Sequence, residues 1–174
     1  MAKRVSLREF QERVSQRLQS ATSGQVKLSS LGVKVGGHHF LIDLTQVSEV
    51  ISVPPVLPVT MTHDWYKGVT NIRGTLYSVS DLSLFLLGEP AMIRPGNRLL
   101  LLQHKLLDNS ALLVEQIVGL RQLDLLNQDI ASLTGLVGEC VGQSFTDETG
   151  AIWHQLDLEK LVKQPSFLQV NREQ

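Results

Sequence analysis

The sequence predicts a mainly β fold, a barrel or sandwich of short strands. Three observations carry this. Apolar and polar residues alternate with period two in short runs, and turn residues recur every ten or so positions. The helical stretches are too few and too short for alternating βαβ units. The 174 residues suit one domain, or two small lobes sharing a core.

From the N-terminus, Leu7, Phe10, Val14 and Leu18 recur at spacings of three and four. This predicts a helix, opened by a capping box at Ser6 and Glu9. Residues 20–24 then form a linker, which gives the expected division: 1–24 helix and linker, 25–163 the main domain, 164–174 a C-terminal tail. The apolar stripe is expected to dock on the protein's own core, with partner binding as the alternative, because about 12 helical residues are marginal alone and must pack on something.

Leu31, Val33 and Val35 alternate with Gly32 and Lys34, and Gly36-Gly37 then separates them from a second strand, His38 to Asp43. Paired glycines between such runs predict a tight hairpin. Phe40 and Ile42 mark the expected core face. A helical turn fits residues 44–48, and Val47, Val50 and Ile51 resume an apolar pattern around Glu49. Pro54, Pro55 and Pro58 place the next stretch in a loop or at an edge. Trp65–Ile72 and Leu76–Ser80 read as strands about an Arg73-Gly74 turn. Ser80 or Asp81 is positioned to cap a short helix bearing Leu82, Phe85 and Leu86, closed by Gly88.

Beyond the loop 89–96, residues 97–103, 110–115 and 117–123 read as strands, with Asp108-Asn109 as a turn. Residues 125–133 fit no single pattern. Leu136–Ser144 and Ala151–Leu156 read as a hairpin about residues 146–150. Asp157 opens a final short helix, 158–162, and the last residues read as a loosely held tail.

Composition excludes several function classes. Sixteen basic against 17 acidic residues leave a formal net charge of −1, without the basic footprint of a nucleic-acid binder. One cysteine excludes an intrachain disulfide framework and a cysteine-rich zinc site. The N-terminus lacks a secretory h-region, and no apolar run approaches the roughly 18 residues of a membrane span. A cytoplasmic protein is expected.

Catalytic patterns are sparse. The chain holds no P-loop, no dinucleotide glycine fingerprint, no His-Glu-x-x-His and no Gly-x-Ser-x-Gly. His38 and His39 are adjacent strand residues and point to opposite faces, a poor arrangement for sharing one metal ion. Cys140, His154 and Asp157 make an imaginable nucleophile set across the last hairpin, although Cys140 reads better as a small hydrophobe in a strand. Trp65 and Tyr66 suit core packing, with an apolar ligand pocket near Trp65 as the alternative. Arg73, at a strand end before a glycine, is expected to be a solvated loop residue or to pair with an acid. Glu49 is the candidate, as the lone charge between Val47 and Ile51.

Residues 65–74, Trp-Tyr-Lys-Gly-Val-Thr-Asn-Ile-Arg-Gly, followed by Val79-Ser80-Asp81-Leu82, resemble the central signature of CheW-like domains, with Ile72 in place of leucine. Residues 40–50 resemble the family's opening strands, and residues 156–161 its closing Leu-Asp-x-x-Lys-Leu element. The likeness covers about residues 29–163. The stretches 54–58, 65–66 and 76–79 look most like adaptors of type IV pilus (twitching motility) chemosensory systems.

The resemblance implies two small SH3-like five-stranded β-barrels around a shared core. It implies an adaptor with no catalysis and no cofactor, linking the cytoplasmic tip of a methyl-accepting chemoreceptor to the regulatory domain of a CheA-type histidine kinase. It also implies that Val47, Glu49, Gly68, Asn71, Arg73 and Gly74 serve partner binding.

Overall fold

The computed structural model describes residues 29–172, and the helix expected over 6–18 lies outside them. Eleven strands in the described residues form two sheets. In chain order they are β1 (Ser29–Val35), β2 (His38–Asp43), β3 (Val47–Ser52), β4 (Tyr66–Ile72), β5 (Thr75–Asp81), β6 (Arg98–Leu102), β7 (Ser110–Val114), β8 (Gln116–Gln122), β9 (Asn127–Asp129), β10 (Val141–Thr146) and β11 (Ile152–Leu156). Four short helices join them: α1 (Leu82–Leu87), α2 (Gly135–Cys140), α3 (Leu158–Val162) and α4 (Pro165–Leu168).

One sheet has the order β3-β6-β7-β5-β4, the other β8-β1-β2-β11-β10-β9. The second thus carries six strands where five were expected, the additional member being the three-residue β9 in the stretch that fits no single pattern. Its second and last strands in the chain, β2 and β11, pair in parallel. The fold therefore closes only when the C-terminal hairpin returns to the N-terminal one.

Local chemistry accounts for most elements. Gly36 and Gly37, both at positive φ, form the two-residue turn between β1 and β2. Asp81 accepts from the Leu84 amide and caps α1, and Gly88 ends it in the left-handed region. Asp157 accepts from the Glu159 and Lys160 amides and caps α3. The Thr146–Gly150 loop is organised by Asp147, which takes the amides of Thr149 and Ala151, the Thr149 hydroxyl and the Trp153 indole N–H. These four bonds hold the Asp147 carboxyl far below the usual carboxylate range.

The core explains why several strands read as unbroken apolar runs. Alternate residues face two different interiors. Leu100, Leu102, Leu112 and Val114 enter a large core shared with Leu31, Val33, Phe40 and Ile42 of the other sheet and with the helices. Leu99, Leu101, Ala111 and Leu113 instead fill a smaller core with Val79. The six-stranded sheet has its own interior too, built by Leu41, Phe145 and Trp153. Phe40 and Ile42 take the expected core face, but Leu41 is equally buried on the other. Three apolar interiors, one per sheet and one between them, match two small barrels around a shared core.

Two expected elements differ. The run 136–144 is not one strand. Residues 135–140 form α2, and the strand begins only at Val141. Gly135, at positive φ, starts the helix, which turns Val137 and Cys140 into the shared core; a six-residue run is too short for its apolar pattern to separate helix from strand. Residues 165–172 are not a loose tail either. They form α4 and then an extended segment bridged to Thr62, anchored by buried Phe167.

Candidate partner-binding site

The signature residues lie on the β4–β5 hairpin. Ile72 pairs with Thr75, leaving Arg73-Gly74 as a two-residue turn. Both have positive φ, 52° and 87°, the combination a tight hairpin turn demands. Glycine adopts it freely; arginine does so at a conformational cost that its surroundings must offset. Asn71 contributes by accepting the Gly74 amide on its side-chain oxygen at 2.9 Å. Glu49 contributes more. Its carboxylate takes both guanidinium ends of Arg73, at 2.9 and 2.6 Å, a bidentate pair. The pairing raises the already high pKa of Arg73. Sequence reasoning proposed this pair, and the fold brings it together.

The geometry depends on a bulge. Val47 opposes Leu102 and Glu49 opposes Leu101, so Ser48 is an extra residue in β3. Its hydroxyl donates to the carbonyls of Leu101 and Leu102. In a regular strand Val47 and Glu49 would share one face. The bulge separates them: Val47 is buried in the shared core, while Glu49 follows Leu101 toward the small barrel. There Glu49 meets Arg73, which is 74% exposed against 25% for the carboxylate. Because β3 and β4 are the two outermost strands of their sheet, the ion pair ties its edges together.

Gly68 sits beside the irregularity in β4, at Lys67, with φ 123°. A Cβ there would lie 2.0 Å from the Leu57 carbonyl oxygen. The missing side chain lets Leu57 and Val69 exchange backbone hydrogen bonds of 2.8 and 2.9 Å, which lays the proline-rich loop along β4. Thr70 adds a bond to the Pro55 carbonyl at 2.7 Å. Of the six expected site residues, Glu49, Asn71, Arg73 and Gly74 thus cluster at one exposed corner. Val47 and Gly68 are buried and act through the backbone of the strands they belong to.

The candidate nucleophile set does not assemble. Cys140 ends α2 in the shared core, and burial pushes its thiol pKa up, away from reactivity. His154 bonds the Ser144 hydroxyl at 2.8 Å, and its ring packs near His38 and Phe40. Asp157 caps α3, as above. His38 and His39 diverge as expected, His39 packing on Trp153 at 4.7 Å. The region around Trp65 is filled, with Phe85 against it edge-on and Phe167 stacked on it. Among the described residues no cluster of three or more His, Cys, Asp or Glu side chains suits a metal ion.

A family model described as the CheW-like domain matches residues 29–166. The chain belongs to the CheW-like domain family. It is 34% identical over 94 residues to Protein PilI of Pseudomonas aeruginosa, an alignment covering 53% of this chain and 52% of that one. The chain thus spans about half the length of the curated relative it matches. Its fold is similar to the crystal structure of the scaffolding protein TtCheW from Thermoanaerobacter tengcongensis. The TM-score is 0.68 at 14% identity, covering 83% of this chain and 93% of that one.

Proposed function

We propose that this protein is a non-catalytic cytoplasmic adaptor. It couples the cytoplasmic tip of a methyl-accepting chemoreceptor to the regulatory domain of a CheA-type histidine kinase, in a chemotaxis-like pathway controlling type IV pilus twitching motility. Membership of the CheW-like family supports the adaptor role, and the similarity to PilI supports the pilus pathway. The observation that carries the reading is the exposed corner at the β4–β5 turn. A strained arginine, a bidentate carboxylate and an Asn71-capped turn present fixed charge on a rigid hairpin. Preorganised surface groups of this kind suit recognition by another protein. Glu49, Asn71, Arg73 and Gly74 form the contact surface, with Val47 and Gly68 positioning it, and residues 25–163 are the unit that carries it.

The test is a pull-down with receptor tips and kinase regulatory domains, using wild-type protein and Arg73→Glu. The reading expects capture of both partners by the wild type and loss of at least one by the variant at unchanged circular dichroism. Full capture by a folded Arg73→Glu protein removes Arg73 from the surface. Capture of neither partner by the wild type removes the adaptor role.

A further inference from the structure

A row of polar side chains crosses one face of the six-stranded sheet. Asp129 of β9 pairs with Ser144 of β10, and Ser144 with His154 of β11. His154 in turn pairs with Phe40 of β2, so His38, two residues before Phe40, shares that face. Phe40 belongs to the shared core, and the row therefore runs into the rim of an apolar interior. Ser144 and His154 are only 3% and 5% exposed. Polar groups buried in such a place are costly unless something bonds them.

His154 is only half bonded. Its Nδ1 shares a hydrogen bond of 2.8 Å with the Ser144 hydroxyl. Among the described residues nothing bonds its Nε2. The ring lines an open cleft of about 490 Å³, together with His38, Ala131, Leu133 and Ile152. The centres of the His38 and His154 rings are 6.1 Å apart. Among the described residues no lysine or arginine lines the cleft. The Asp129 carboxylate, which takes the Thr146 hydroxyl and the Ala131 amide, adds a negative field at His154.

We propose that His38 and His154 form a two-histidine site for a borderline divalent transition ion such as zinc(II), with water completing its coordination. When Nδ1–H donates to the Ser144 oxygen, the Nε2 lone pair is left for the ion. A partner on the second ring nitrogen is the usual device for orienting a ligating histidine. His38, half-buried at the same cleft, reaches the ion by rotation about its own side-chain bonds. Imidazole nitrogen suits zinc, nickel and copper, whereas magnesium and calcium prefer oxygen ligands. His39 also borders the cleft, but its ring packs on Trp153 and takes no part. The protein supplies two ligands only, so the ion is held reversibly. The inference does not rest on the adaptor reading.

The test uses full-length protein without an affinity tag, treated with a chelator and dialysed, then titrated with zinc(II) at pH 7.5 by isothermal calorimetry. The expected result is saturable binding of one ion per chain, with no binding of magnesium. Ser144→Ala should weaken zinc binding roughly 10-fold, as loss of a residue that orients a ligand does. His38→Ala, which removes a ligand, should weaken it further. His104→Ala, which dissolves the exposed His104–Asp108 pair, should leave the affinity unchanged. In NMR spectra zinc should shift the ring signals of His38 and His154 and leave those of His63 in place. Should the buried Ser144→Ala variant fail to fold, the half-buried His38→Ala decides. Equal zinc affinity in wild type and His38→Ala, or no saturable binding by the wild type, overturns the proposal.

Discussion

Gly68→Ala and Gly74→Ala both place a side chain at positive φ, and their comparison isolates the close approach at Gly68. Backbone strain applies to both, roughly 1–3 kcal/mol each. At Gly74 a Cβ meets nothing within 4 Å. At Gly68 it meets the Leu57 carbonyl oxygen at 2.0 Å and the Pro58 Cα at 2.8 Å. Both are backbone atoms, so no rotamer change relieves the contact; the loop must leave β4. Leaving breaks the two Leu57–Val69 hydrogen bonds. At about 0.5–1.5 kcal/mol each, that adds roughly 1–3 kcal/mol beyond the strain. For a protein of this size each kcal/mol moves the melting temperature by about 2–4 °C. Gly68→Ala should therefore melt about 2–12 °C below Gly74→Ala, read by circular dichroism. Equal melting points would refute the argument that Gly68 serves loop packing. A folded Gly68→Ala protein should also bind partners less well, because the displaced loop borders the Arg73 corner.

Three other outcomes are expected. Arg73→Glu should lower the melting temperature by no more than about 2–4 °C, because an exposed ion pair is worth at most about 1 kcal/mol, while costing capture of at least one partner in the pull-down. Cys140→Ala should cost about 1 kcal/mol by urea denaturation and leave partner capture intact, with native Cys140 slow to react with a thiol reagent. Stability should fall as pH drops below about 6.5, because burial lowers the pKa of His154, with His38 adding to the effect, and burial and Lys34 lower that of His39. Between folded and unfolded pKa the unfolded chain binds more protons, so stability rises with pH there. His154→Asn should flatten this slope in denaturation measured from pH 7.5 to 5, and an unchanged slope would exclude His154 as a source.

The fold class was legible because its signals are local. Paired glycines at 36–37, Asp81 and Asp157 before short apolar helices, and prolines at 54–58 each act through their own backbone. What was illegible depends on distant partners. Leu41 reads as the outward face of β2, and only the closure of the six-stranded sheet over Trp153 and Phe145 makes that face an interior. Residues 135–140 are too short a run for their pattern to separate strand from helix, and burial of Val137 and Cys140 in the shared core decides for helix. Phe167 lies in a short mixed run, and nothing in its neighbours' sequence indicates that Trp65, a hundred residues earlier, receives it.

The candidate site divides in the same way. Asn71, Arg73 and Gly74 form one hairpin turn, and their spacing alone shows the turn. Glu49 was identifiable as an unmatched charge, but why it reaches Arg73 was not, since strand periodicity assigns it to the face of Val47. The bulge at Ser48 resolves the conflict by letting one strand send Val47 inward and Glu49 toward the barrel. A bulge has no reliable residue signature of its own; here it is stabilised by a serine hydroxyl bonding two carbonyls of the neighbouring strand. It follows that the ion pair depends on Ser48 more than its sequence suggests. Without the bulge, Glu49 would face the shared core, and an unpaired carboxylate there is far too costly to keep. The strained Arg73 turn would then lose the partner that offsets its conformation.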